Sequence, residues 1–150
     1  MSHVPRDWTP TASVVFYDDA REAIGWLERA FGFVPRIVVD GPDGAVVHSE
    51  LVCGEALIQV ASAGGMAGSV SPRKINGAYT QSLYVFVPDV DAHYESARAA
   101  GAEIVRDLET QHYGDRTYGC LDCEGHPWFF GQRVDDEAWA RANAGPESSK

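Results

Sequence analysis

The alternation of apolar and polar positions predicts a βαβββ order that occurs twice along the chain. Ser13–Tyr17 is a short run rich in β-branched and aromatic residues and reads as a strand. Asp18-Asp19 stops it and caps a helix, because Ala23, Ile24, Leu27 and Phe31 recur at helical spacing over Ala20–Phe31. Gly32 closes that helix. Residues 35–39, 45–52 and 56–61 read as three strands, joined by turns at Gly41-Pro42-Asp43-Gly44 and Cys53-Gly54-Glu55. A glycine-rich linker follows over 62–79.

The order then recurs. Residues 83–87 read as a strand, Pro88-Asp89 as a cap, and 90–100 as a helix ended by Gly101. Residues 103–106, 116–121 and 128–131 are strands, the last two joined at Asp122-Cys123-Glu124-Gly125. Asp19 and Asp89 are 70 apart, Gly32 and Gly101 69 apart, Gly54 and Gly125 71 apart. One offset for cap, stop and hairpin marks an internal repeat. The expectation is an α+β fold with two βαβββ modules, 12–61 and 80–132, in a single domain spanning 1–150. Neither module has enough apolar surface to bury a sheet alone, so the two share a core. An amphipathic helix over 135–143 and a disordered tail over 145–150 complete the chain.

Strand alternation assigns side chains to faces. Leu83, Val85 and Val87, with Ala56, Ile58 and Val60, form the aliphatic, helix-facing sets; Trp128 and Phe130 join them as core. Val47 and Leu51 are also assigned to the core, which puts His48 and Glu50 beside Gln59 on the other face. An offset of 70 maps His48 onto Tyr118, with Arg116 and Cys120 alongside, and Gln59 onto Phe129. Phe16, Ser82, Tyr84 and Phe86 complete a face that mixes aromatic and polar groups, as a small-molecule pocket requires. A solvated face or a subunit interface is the other reading.

Composition narrows the partners. Acidic residues outnumber basic ones by 22 to 12, giving a net charge of −10. Such a surface repels phosphate backbones and anionic lipid, which excludes nucleic acid and membrane as expected partners and favours cationic compounds. Neither a membrane span nor a signal-peptide core is present in the sequence. Three cysteines are too few for a disulfide framework, so a cytoplasmic protein with free thiols is expected. Cys120 and Cys123 have CxxC spacing, but they straddle a strand end and a hairpin rather than opening a helix. They read as structural.

Four local motifs carry a family resemblance: Ala23-Ile24-Gly25-Trp26-Leu27 with Ala30-Phe31-Gly32-Phe33; Val87-Pro88-Asp89-Val90-Asp91-Ala92; Tyr113-Gly114-Asp115-Arg116; and Asp122-Cys123-Glu124-Gly125-His126-Pro127-Trp128. The likeness covers residues 12–132. The chain resembles the vicinal-oxygen-chelate superfamily of glyoxalase I, bleomycin-resistance proteins and extradiol dioxygenases, and within it the non-metal bleomycin-resistance-like branch. The family's usual hairpin is Asp-Pro-(Asp or Glu)-Gly; here Cys123 stands where the proline would be. The resemblance implies a cupped mixed sheet with helices on its outer face, often within a homodimer. In the family's metalloenzymes four cup positions hold a divalent metal, and these fall at Ala12, Gln59, Ser82 and Phe129. Only Gln59 offers a suitable donor.

Three functions are therefore in play. The leading expectation is a glyoxalase-type small-molecule-binding protein without a cofactor. It would hold an aromatic or cationic compound against Phe16, Gln59, Ser82, Tyr84, Phe86, Tyr113, Arg116, Tyr118 and Phe129, with antibiotic sequestration as one form. The second is a metal-dependent lyase, isomerase or dioxygenase with His48, Glu50 and Gln59 as displaced ligands. The third is metal-free acid–base catalysis by His48 with Glu50, two residues apart on one strand face. Arg116 has two open roles, binding an anionic ligand group or pairing with a nearby carboxylate.

Overall fold

The computed structural model describes residues 3–145; residues 146–150 of the expected tail lie outside the described residues. Capping sets the helices. The Asp19 side chain accepts from Glu22 N and starts α1 (Ala20–Phe31), which Gly32 ends in the left-handed conformation at φ 76°. Asp89 accepts from Ala92 N and starts α2 (Val90–Ala99) in the same way. Asp135 caps α3 (Asp136–Asn143). No helix among the described residues is long and apolar enough to cross a membrane.

Among the described residues, eight strands form two four-stranded mixed sheets. The first contains β1 (Ser13–Tyr17), β2 (Val34–Asp40), β3 (Val46–Cys53) and β4 (Ala56–Ser62), in the order β1-β4-β3-β2. The second contains β5 (Leu83–Phe86), β6 (Glu103–Thr110), β7 (Asp115–Leu121) and β8 (Pro127–Arg133), in the order β5-β8-β7-β6. β1 runs parallel to β4 and β5 to β8, while the remaining pairs are antiparallel. The two-module α+β expectation is borne out, with one sheet per module. β6 extends to Thr110, four residues beyond its expected end.

The modules share one core. Phe31 of α1 packs 4.7 Å from Phe130 and 5.2 Å from Trp128, both of the second sheet, and α1 packs on α2. The β7–β8 hairpin locks onto the start of α1. Glu124 accepts from the Asp18 and Asp19 amides at 2.7 and 2.9 Å, and Asp122 accepts from the Tyr17 hydroxyl at 2.6 Å. A carboxylate there satisfies open amides and faces the positive end of the helix. The last family-like motif of the sequence thus has a structural task. The linker is tied to the same hairpin, since Ser71 Oγ donates to Glu124 Oε1 at 2.5 Å.

Two facial assignments are corrected. Val46, not Val47, enters the core: β2 pairs Val39 with His48 and Asp40 with Val46, so Val47 bulges out. The bulge shifts the alternation by one residue and leaves Val47 56% exposed. Tyr118 and Cys120 also face the core, each fully buried and paired across the sheet with Phe130 and Trp128. The second hairpin is one residue longer than the first, so the offset of 70 that relates β4 to β8 becomes 69 between β3 and β7. A slip of one residue exchanges faces. The true counterpart of His48 is Thr117.

Candidate ligand-binding cup

A cavity of about 430 Å³ opens on the face of the first sheet away from the helices, lined by Val14, Phe16, Val47, His48, Gln59 and Met66 among others. Serine side chains shape it. The regular β3–β4 ladder covers only Leu51–Cys53 against Ala56–Ile58. Beyond that point Ser49 Oγ accepts from Val60 N at 2.9 Å and donates to Val60 O at 2.5 Å, while Ser62 Oγ accepts from Val46 N. Hydroxyls inserted between the strands take the place of direct peptide bonding, spreading the sheet where the cavity lies.

His48 meets Glu50 at this site, with Nε2 3.3 Å from Oε1. The histidine is partly exposed, whereas Glu50 is 5% exposed and lies outside the cavity lining. Its other oxygen accepts from Arg36 Nε at 2.7 Å, and Arg36 also donates to the Asp7 carbonyl below the Trp8 ring. Glu50 is thus the buried half of an ion pair, not a free acid. The sequence contained no signal for Arg36 or Met66 at the site, because one sits in a bulged edge strand and the other in the linker.

The second sheet presents an aromatic patch on its corresponding face. Tyr84 and Phe129 are in register on β5 and β8, and the Phe86 ring lies 5.3 Å from Tyr84. Two glycines form the floor. A Cβ at Gly119 would stand 2.7 Å from the Phe129 ring, and one at Gly131 2.4 Å from the Tyr84 hydroxyl, so each ring lies against bare backbone. Burial, with Asp115 and Tyr113 nearby, raises the Tyr84 hydroxyl above its ordinary pKa. Tyr113 borders this patch and leans edge-on against Trp139 of α3.

The expected site residues therefore divide. Phe16, His48 and Gln59 converge on the first sheet, and Tyr84, Phe86 and Phe129 on the second. Ser82 and Ala12 line a groove between the sheets. Tyr118 is removed from the site: its hydroxyl pairs with His93 Nδ1 at 2.6 Å inside the core, and His93 Nε2 donates to the Phe31 carbonyl at 3.0 Å. Arg116 is removed too. It grips Asp91 at the start of α2 through Nε and Nη2, each at 3.0 Å, and holds that carboxyl below the usual range. Its β8 partner Gln132 likewise turns to α2, accepting from Val90 N. Arg116→Ala is accordingly expected to leave small-molecule binding unchanged within twofold in a calorimetric titration, an outcome at odds with any anion-binding role.

The donor set does not fit a divalent metal. Ala12 and Phe129 carry no donor, which leaves only the Gln59 amide and the Ser82 hydroxyl, too few and too weak to hold such an ion. The displaced set fares no better, since a cation at Glu50 would stand beside the Arg36 guanidinium on the same carboxylate. Among the described residues no three His, Cys, Asp or Glu side chains gather as ligands. Burial pushes the Cys120 thiol up to about 12, against a thiolate ligand or redox nucleophile.

Uncharacterized proteins Mb0911c of Mycobacterium bovis and Rv0887c of Mycobacterium tuberculosis are each 37% identical to this chain over 120 residues. Each match covers 78% of this chain, with 78% of the first protein and 70% of the second. The crystal structure of TioX from Micromonospora sp. ML1 matches with a TM-score of 0.64 at 32% identity, covering 83% of this chain and 99% of TioX. The fosfomycin resistance protein FosX of Listeria monocytogenes, crystallised with Mn(II) and sulfate, matches with a TM-score of 0.64 at 11% identity. That alignment covers 89% of this chain and 96% of FosX, and what it shows is a common fold. The model of the Glyoxalase/Bleomycin resistance protein/Dioxygenase superfamily matches residues 10–130, and the chain belongs to that superfamily.

Proposed function

We propose that this protein binds, without a metal, a planar aromatic cation in the first-sheet cup. The observation that carries the reading is the convergence of Phe16, His48, Gln59 and Met66 around about 430 Å³. Phe16 offers a ring face, Met66 a polarizable thioether, and Gln59 and His48 the few polar contacts that set orientation. The net charge of −10 attracts cations from a distance. Sequestration of such a compound in the cytoplasm, as in antibiotic resistance, is the role that suits it. The reading includes a homodimer, in which Tyr84, Phe86 and Phe129 of one copy cover the cup of another.

Proflavine is a suitable probe. It is expected to bind saturably at one molecule per chain, more weakly at high salt, and equally well with or without a chelator. Phe16→Ala is expected to weaken it about ten- to thirty-fold, from lost stacking and burial. Absence of saturable binding, or binding that requires Mn(II), would overturn the proposal. The contact of His48 with Glu50 favours acid–base catalysis as a second reading. Buried pairing of Glu50 with Arg36 favours binding over it, because the carboxylate already has a full counter-charge.

A further inference from the structure

The segment joining the two modules builds a separate cavity. Residues 68–81 enclose about 370 Å³ against the outer edge of β1 and the start of β5. β1 is the outermost strand of its sheet, so its unpaired row of peptide groups borders this space. The enclosing segment is anchored rather than loose. Ser71 donates to Glu124, Arg73 donates to the Cys123 carbonyl at 3.4 Å, and Lys74 Nζ lies 3.9 Å from Asp18.

One imidazole lines the cavity, that of His126. Its Nδ1 lies 3.2 Å from Asp122 Oδ1, and its ring packs 4.4 Å from Tyr17. The Asp122 side chain has no exposed surface. Burial raises its pKa, but hydrogen bonds from His126, Tyr17 and Trp128 outweigh burial and leave it below the usual carboxylate range. A charged Asp122 accepts a hydrogen bond from Nδ1–H, which leaves Nε2 as the unprotonated acceptor nitrogen, without a partner among the described residues. Such a pairing fixes the ring's tautomer and orientation.

We propose that this inter-module cavity binds a hydroxyaromatic molecule, its phenolic O–H held by Nε2 of His126. The walls are largely apolar, with Val14, Phe16, Val70, Ile75 and Leu83 among them, and they suit a ring. Neither lysine nor arginine lines the space, so a carboxylate or phosphate would lose its hydration for no cation in return. A phenol offers one polar atom and little else to desolvate. Its O–H finds in Nε2 an acceptor held in one orientation by the contact of Nδ1 with Asp122. The proposal stands apart from the cup's ligand, although Val14 and Phe16 border both cavities.

The test uses the full chain and 4-nitrophenol, whose absorption moves to the red as its hydroxyl donates or loses a proton. A saturable red shift at one equivalent is expected. Ala78→Trp, which puts a large ring at a lining position other than the imidazole, is expected to weaken binding at least tenfold. His126→Phe, which keeps a ring against Tyr17, is expected to abolish the red shift, and His48→Ala in the cup to leave it intact. No saturable shift, a shift that survives Ala78→Trp, or a shift lost in His48→Ala would overturn the proposal. Should His126→Phe fail to fold, NMR of ¹³C-labelled histidine decides in the unaltered protein. A His126 ring signal that moves with 4-nitrophenol supports the site, and one that stays in place refutes it.

Discussion

Asp122→Ala is expected to destabilise the fold by about 3–5 kcal/mol, lowering Tm by roughly 10 °C or more. The carboxylate accepts from the Tyr17 hydroxyl at 2.6 Å, Trp128 Nε1 at 2.9 Å, His126 Nδ1 at 3.2 Å and the Glu124 and His126 amides at 3.0 Å. Its removal leaves these donors together in a space closed to water, and an unmade buried hydrogen bond costs more than a made one contributes. Domains of this size are stable by only about 5–15 kcal/mol in total, so the loss is a large share. A urea midpoint within error of the unaltered protein would contradict this. The acid limb offers a second check. The folded pKa lies below the unfolded one, so Asp122 contributes stability above the ordinary carboxylate range and loses it as pH falls through the folded value. Asp122→Asn cannot titrate, and its Tm should fall less steeply than that of the unaltered protein between about pH 5 and about pH 2.

Gly114→Ala is expected to cost about 2–4 kcal/mol, from left-handed backbone and from overpacking together. Gly114 has φ 93°, and an added Cβ would stand 2.1 Å from the Asp135 carbonyl oxygen, a backbone atom with little freedom to move. The Gly114 carbonyl in turn accepts from the amides of Val134 and Asp135 at 2.9 and 3.0 Å. This is the seat of α3, where the Arg133 guanidinium lies 3.9 Å from the Trp139 ring centroid. The methyl group is therefore expected to dislodge α3 before it unfolds the sheets. Hydrogen exchange should quicken over residues 136–143, and Trp139 emission should shift to the red. Unaltered exchange in α3 together with an unaltered Tm would refute the packing argument.

Much of the architecture was legible because it is written in local chemistry. Asp19, Gly32, Asp89 and Gly101 mark helix ends through hydrogen bonds and positive φ that depend on few neighbours, and their repetition revealed the duplication. The facial assignments went wrong where a single residue was added. Val47 bulges against a partner strand, and the extra residue in the second hairpin turned Tyr118 inward; neither insertion leaves a mark in the alternation itself. The same slip carries Arg116, two residues before Tyr118 on β7, to the helix side, where it takes the second of its two open roles and pairs with Asp91. Phe16, Gln59 and His48 come together around one cavity because β1, β4 and the adjacent part of β3 keep their expected phase. Ser49 and Ser62, which spread the sheet, look in sequence like ordinary strand serines.

The bond between Glu124 and the first turn of α1 also governs the order in which this protein can be made. While the ribosome is still adding residues before 124, the amides of Asp18 and Asp19 must rely on water, and Tyr17 has no carboxylate to meet. The leading half of a nascent polypeptide therefore leaves the exit tunnel unfinished, and closure awaits the final hairpin more than 100 positions later. Until then Phe31 lacks the Trp128 and Phe130 rings that pack against it.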